Sequence, residues 1–191
     1  QAQKSGLEVV ENVIVKDDFN QLKEAIEKGI EKSDIVLLSG GSSVGERDFT
    51  KEAINSLGGK GILAHGISIK PGKPTLIANA KGKLVIGLPG HPVSAITVFM
   101  AVVEPFIEQL YSLKTIKPTI FAKMTANFPS APGKDTYVFV NIKKEEGKYY
   151  ATPKFGKSGM ITNLSKADGY IVIKIHEEGV NKGDIREVYL L

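Results

Sequence analysis

The sequence predicts a three-layer α/β domain with a mostly parallel sheet, followed by a small all-β, barrel-like domain. Three observations lead there. Strand-like and helix-like patterns alternate as far as residue 112, the signature of crossover units around a parallel sheet. After Pro118 only short strand patterns remain, separated by turn signals. Three short loops, LSGGSSVGERDF (Leu38 to Phe49), IKPGKP (Ile69 to Pro74) and GLPGHPVSA (Gly87 to Ala95), each follow an apolar strand-like run. In an open α/β sheet, loops at the carboxyl ends of strands meet in one crevice, where ligands bind.

The first residues, QAQKSG, read as the last turn of a helix with its glycine stop. Leu7 to Val15 is β-rich and predicts a strand. Asp17-Asp18 then precede a helix in which Phe19, Leu22, Ala25, Ile26 and Ile30 recur at helical spacing; Asp18 is the better cap. Ile35 to Ser39 predicts a buried parallel strand. FTKEAINSLGG is a short helix stopped by Gly58-Gly59. GILAHGISI, TLIANA and LVIGL are strands, with Lys81–Lys83 as the turn between the last two. From Pro92 to Tyr111 a long apolar helix is expected, kinked or interrupted by Pro105. The domains divide as residues 1–114 and 115–191. In the second, TIFAKMTANF, TYVFVNIK, KYYATPK, GYIVIKI and IREVYLL are strands.

Composition narrows the function. Hydrophobic residues make up 42% and charged ones 24%, which suits a globular chain and excludes a disordered one. No apolar run approaches the roughly 18–20 residues of a membrane span, and the N-terminus does not read as a signal peptide. The absence of cysteine removes disulfides and thiolate chemistry and fits a reducing cytoplasm. A net charge of +4, with Arg47 and Arg186 the only arginines, favours acidic small molecules over nucleic acid. His65, His91 and His176 are too scattered for a zinc site.

The three loops carry the chemistry. Gly40 and Gly41 admit close backbone approach, Gly45 can take a positive φ, and Ser42 and Ser43 supply hydroxyls ahead of a helix N-terminus that favours anions. A P-loop is excluded, because Glu46-Arg47 stand where Lys-Ser/Thr is required. In the second loop Pro71 and Pro74 stiffen a turn around Gly72 that projects Lys70 and Lys73, and pre-ordering reduces the entropy lost on binding an anion. In the third, Pro89 and Pro92 bracket Gly90, and Ser94 falls in the first turn of the helix. Asp17 and Asp48 sit at helix starts, where an acid also serves as a cap or first-turn charge.

Together and in order, these loops resemble the molybdopterin molybdenumtransferase family, which includes the C-terminal domain of gephyrin. The resemblance covers nearly all of the chain. It implies that Asp17 and Asp48 are the active-site acids, holding Mg²⁺, and that Lys70 and Lys73 meet the oxyanion and the pterin phosphate. It also implies roles for Lys134 in APGKDTYVF and Ser158 in FGKSGM, where the family has a basic residue and a serine. This chain has Gly66 where many relatives carry lysine, and His91 where asparagine or tyrosine is commoner.

The implied activity is insertion of molybdate, or tungstate, into adenylylated molybdopterin with release of AMP. The alternatives are a molybdopterin adenylyltransferase, possessing only the α/β domain, and a non-catalytic pterin carrier or scaffold. By comparison with the family, one leading strand, its acidic loop, most of a helix and two earlier domains are missing, so the chain is expected to be a C-terminal portion. The family works as a dimer whose site is completed by an earlier domain of the partner chain, and the adenylyltransferase is a further expected partner. No nucleic-acid or membrane partner is expected.

Overall fold

The computed structural model describes residues 2–40, 49–113, 117–155 and 166–191. Two compact units emerge, one of Gln1–Ile67 with Gly72–Glu104, the other of Ser68–Pro71 with Pro105–Leu191.

The first unit is built on a four-stranded sheet of order β1-β5-β4-β2, with β1 Ile35–Ser39, β2 Gly61–His65, β4 Leu76–Ala80 and β5 Lys83–Leu88. Only β1 and β5 are parallel neighbours; β4 runs against both β5 and β2. The expectation of a mostly parallel sheet is corrected here to a mixed one. The cause is local: Lys81 and Gly82, at φ +49° and +85°, make a two-residue turn, which can join only antiparallel strands.

Helix α1 (Phe19–Lys32) begins at Asp18, whose carboxylate accepts the Gln21 N–H at 2.9 Å. Helix α2 (Phe49–Ser56) ends before Gly58 and Gly59, both at positive φ. Ile26, Ile30, Ala53 and Ile54 from these helices, with Leu57 just after α2, close over Leu76, Ala78, Ala80 and Val85 of the sheet. Residues on the opposite face, such as Ile86, are buried as well, and the helix that follows β5 packs beside that strand. The three-layer arrangement is thus present in part. Strand β1 is at the sheet edge with Leu37 exposed, so it is not the strand buried on both faces that its composition suggested.

Leu7 to Val15 forms no strand. Its β-rich residues find no paired edge, and Val9, Val10, Val13 and Ile14 remain exposed. Before it, a single 3₁₀ turn, Gln3–Ser5, stops at Gly6 in the left-handed conformation, as expected for QAQKSG.

The long helix starts as α3 (Pro92–Val98), widens into a π-helical stretch over Phe99–Val103 and continues as α4 (Glu104–Leu110). The Glu104 N–H reaches back to the Phe99 carbonyl. Pro105 has no N–H to donate and its ring crowds the carbonyl four residues earlier; the wider turn accommodates it, so the expected interruption takes the form of a π-bulge. By length and composition the helix Pro92–Leu110 could cross a membrane, with a mean hydropathy of 1.5. The reading that no stretch approaches a span counted unbroken apolar runs and overlooked it. In the fold Val93, Val98, Phe99, Met100 and Val103 are buried.

The second unit is a closed five-stranded barrel. Its order is β10-β12-β6-β9-β8 and back to β10, with β6 Thr119–Met124, β8 Asp135–Glu145, β9 Lys148–Pro153, β10 Gly169–Ile173 and β12 Ile185–Leu190. Closure removes free edges. Ala122, Met124, Val138, Val140, Ala151, Ile171, Ile173 and Val188 fill the interior. A small β7–β11 pair (Phe128–Pro129 with Gly179–Val180) is added. The run GILAHGISI is two strands, not one: β2 belongs to the first sheet, while β3 (Ile69–Lys70) pairs in parallel with β8 of the barrel unit.

Candidate functional site

The register of the first sheet fixes which loops share an end. Ser39 and Leu88, the last residues of β1 and β5, are partners; Leu76, the first of β4, pairs with Gly87 and with His65, the last of β2. The chain segments that follow Ser39, His65 and Leu88 therefore all leave from one end of the sheet. A β-carbon built on Gly90 would lie 3.9 Å from the Cα of Gly40, so the first and third loops are in van der Waals reach.

The helices point the same way. Glu27 in the second half of α1 meets Lys81 at 2.5 Å, and Asp34 meets Lys83 at 2.9 Å; both lysines belong to the β4–β5 turn at the opposite end. The Lys81 N–H also donates to the Gly58 carbonyl just after α2. The N-termini of α1 and α2 are therefore directed to the loop end, and α3 begins there directly after β5. Three helix N-termini, with their positive dipole ends, thus lie toward one end of the sheet, and a helix N-terminus is a setting in which an anion is stabilised.

Asp17 is exposed just ahead of α1, beside the capping Asp18. Among the described residues its carboxylate has no ion pair or hydrogen bond, and oxygen donors of this kind suit Mg²⁺. No group of three or more metal-ligating side chains occurs among the described residues. Gly40 has φ +96°, a conformation that favours glycine. Gly41, Ser42, Ser43, Gly45 and Asp48 lie outside the described residues, as does Ser158.

The second loop is tied to itself. The Gly66 N–H donates to the Thr75 carbonyl at 2.8 Å, and the Ile67 and Thr75 N–H groups both donate to the Lys73 carbonyl. The Thr75 hydroxyl, fully buried, donates to the Gly72 carbonyl at 2.6 Å. Gly72 has φ +133°, and the Lys70–Pro71 peptide is cis. Pro74 is half-buried, and Lys73 is exposed on this ordered turn. Sequence reading missed Thr75, although its place directly after KPGKP was a usable signal. In the third loop Pro89 is buried, Gly90, His91 and Pro92 are exposed, and Ser94 is 5% exposed. The Ser94 hydroxyl has no hydrogen-bond partner among the described residues.

Lys70 and Lys134 both belong to the second unit. Ile69 and Lys70 pair with Asp135 and Thr136, and the Asp135 N–H donates to the Ser68 carbonyl at 2.9 Å. Lys134, next in the chain to Asp135, is half-buried, while Lys70 is exposed. Nearby Tyr137 has its phenol pushed above the ordinary value by burial first and by the charge of Asp135 second, so it is a protonated donor at neutral pH. The second arginine, Arg186, is engaged by Glu177 at 2.6 Å.

A family model described as a probable molybdopterin binding domain matches residues 1–109, and one for the MoeA C-terminal region, domain IV, matches residues 122–191. The chain belongs to the molybdopterin molybdenumtransferase family. It is 38% identical over 178 residues to a Methanocaldococcus jannaschii protein named for molybdopterin biosynthesis, covering 93% of this chain and 42% of the relative. It is 30% identical to a molybdopterin molybdenumtransferase of Nostoc over 187 residues, covering 94% and 43%. The solved structure of a MoeA molybdopterin biosynthesis protein from Pyrococcus horikoshii superimposes with a TM-score of 0.74 at 34% identity, covering 92% of this chain and 42% of that one. The chain thus spans about two-fifths of the length of these relatives.

Proposed function

We propose that this chain is the substrate-binding part of a molybdopterin molybdenumtransferase. The reaction loads molybdate, or tungstate, onto the dithiolene of adenylylated molybdopterin and releases AMP. The observation that carries this reading is the convergence of three loops and three helix N-termini on one end of the first sheet. A phosphoanhydride and a tetrahedral oxyanion are both anionic. The task is to hold them together and to stabilise the charge that develops as the anhydride breaks.

In this reading Gly40, Gly41, Ser42, Ser43, Gly45, Pro89, Gly90, Pro92 and Ser94 line the anion-binding end, with backbone N–H groups and hydroxyls as donors. Gly72 and Pro74 hold Lys73 ready, and Lys70, Lys134 and Ser158 are substrate-binding residues of the second unit. Asp17 and Asp48 would hold Mg²⁺, which when bound neutralises phosphate charge. The full-length enzyme acts in the cytoplasm as a homodimer, with an earlier domain of the partner completing the site; this chain alone binds ligand weakly and turns over poorly.

The match of residues 122–191 to the MoeA C-terminal region favours this reading over an adenylyltransferase. The test is to supply full-length protein with adenylylated molybdopterin and molybdate and to follow AMP. Molybdate-dependent release that disappears in Asp48→Ala is expected; release that is indifferent to molybdate overturns the assignment.

A further inference from the structure

Two hydroxyls at the start of β8 hold more hydrogens than they have acceptors for. The Ser130 and Thr136 oxygens are 2.7 Å apart, and the two residues are 8% and 2% exposed. Two hydroxyls carry two hydrogens, and the bond between them uses one. Neither oxygen has another partner among the described residues. By contrast, the buried hydroxyls of Thr75 and Thr97 each donate to a backbone carbonyl. A buried donor without an acceptor is costly, and a ligand that accepts from it removes the cost.

The strand register fixes what shares a face with this pair. Thr136 is opposite Ile173 of β10, which is buried in the barrel interior, and opposite Lys70 of β3. Residues paired directly across strands project to one face, so Lys70 leaves β3 on the side of the hydroxyls. Asp135, one residue earlier, projects to the other face, where its carboxylate accepts the Ile175 N–H. Lys70 is exposed, and its ammonium makes no ion pair among the described residues. The Ser130 N–H donates to the Glu178 carbonyl at 2.8 Å, which anchors the backbone beneath the hydroxyl. Adjacent strands lie roughly 4.8 Å apart, a separation that one anion bridges by accepting hydrogen bonds of about 2.8 Å from each side.

We propose that Ser130 is a further oxyanion-binding residue, its spare O–H donating to the same anion as the Lys70 ammonium, with Thr136 as the positioning residue that orients it. Ser130 is the more open of the two. When the Thr136 hydroxyl donates to the Ser130 oxygen, the Ser130 hydrogen is the free one, and the chain of donors polarises it. The inference rests on the reading of Lys70 as a substrate contact and deepens it, adding a directed, uncharged donor to a mobile cation. The ligand chemistry is a phosphate group or molybdate, tetrahedral anions whose oxygens accept from both.

The experiment titrates the full-length protein with inorganic phosphate and, separately, with sodium molybdate by calorimetry. The variants are Ser130→Ala, Thr136→Val, Thr136→Ser and Lys70→Ala. Thr152→Val is the control, since it removes a hydroxyl from the exposed Thr125–Thr152 pair of the same barrel. Thermal melting checks that each is folded. Ser130→Ala is expected to weaken binding roughly tenfold, the loss of one hydrogen bond to a charged group. Thr136→Val should weaken it less, whereas Thr136→Ser and Thr152→Val should bind as the parent does. Ser130→Ala combined with Lys70→Ala should lose less than the product of the single losses, because both groups contact one anion. The anion whose affinity falls identifies the group bound. Loss in Lys70→Ala with unchanged binding in Ser130→Ala overturns the proposal and leaves the reading of Lys70 intact. Should Ser130→Ala fail to fold, Thr136→Val decides in its place, and binding equal to that of Thr136→Ser overturns the proposal. If the parent binds neither anion, or Lys70→Ala binds normally, the reading of Lys70 fails and the proposal falls with it.

Discussion

Two residues in the second loop show how backbone demands constrain the chemistry available. Gly66 has φ +91°, a region that an L side chain enters at a cost of roughly 1–3 kcal/mol. Gly66→Lys should therefore lower stability by about 1–2 kcal/mol in urea titrations. A neutral or stabilising effect would show that the turn rearranges freely. Thr75 acts from beneath: its buried hydroxyl secures the Gly72 carbonyl. Thr75→Val keeps the shape and leaves that carbonyl without its donor, which should cost about 1–2 kcal/mol. Because the same turn presents Lys73, phosphate binding should weaken beyond what the stability loss explains, as titration at a temperature where the variant is fully folded would reveal.

At the scale of elements, the adjacent acids ahead of α1 separate a structural role from a functional one. Asp18 caps the helix through the Gln21 N–H, so Asp18→Ala should lower stability by about 1 kcal/mol. Asp17 is exposed and its carboxylate bonds to nothing described, so Asp17→Ala should shift the urea midpoint very little while suppressing AMP release in the full-length enzyme. The reverse pattern would exchange the two roles. The cap, α1, α2, the β4–β5 turn and most barrel strands were legible in sequence because each depends on neighbours within a few residues. The errors share a different cause. Leu7 to Val15 has strand composition, yet a strand exists only where an edge receives it. GILAHGISI is continuous in pattern but serves two sheets, a choice made by β4 and β8 far along the chain. The Lys81–Lys83 turn was recognised, but its consequence, an antiparallel pair in a sheet expected to be mostly parallel, was not drawn. The site followed the same rule: the three loops announced themselves by glycine and proline, whereas the pairing of Ile69 with Asp135 joins strands far apart in sequence.

At the scale of the whole molecule, stability against acid should depend on how the barrel unit secures its last turn. Glu177 accepts the Lys174 N–H at 2.6 Å and pairs with Arg186 on β12, which also reaches the Gly179 carbonyl. Burial alone would raise the Glu177 carboxyl. The Lys174 N–H, the Arg186 guanidinium and the nearby His176 together outweigh it, and the group titrates below its ordinary value of 4.5. A carboxyl depressed by folding contributes stability that is complete above its unfolded value and is lost as pH falls through the folded one. That loss therefore belongs below pH 4.5 and leaves neutral pH untouched. Both side chains are mostly shielded, at 21% and 26% exposed, so solvent screening does not erase the effect. Glu177→Gln should lower stability by about 1–2 kcal/mol at pH 7. Its urea midpoint should also fall less steeply than the parent's between pH 5 and 3, so that the two curves approach each other at the acid end. Parallel curves across that interval would mean that the Glu177–Arg186 pair does not govern acid unfolding, and that the acid limb arises elsewhere in the chain.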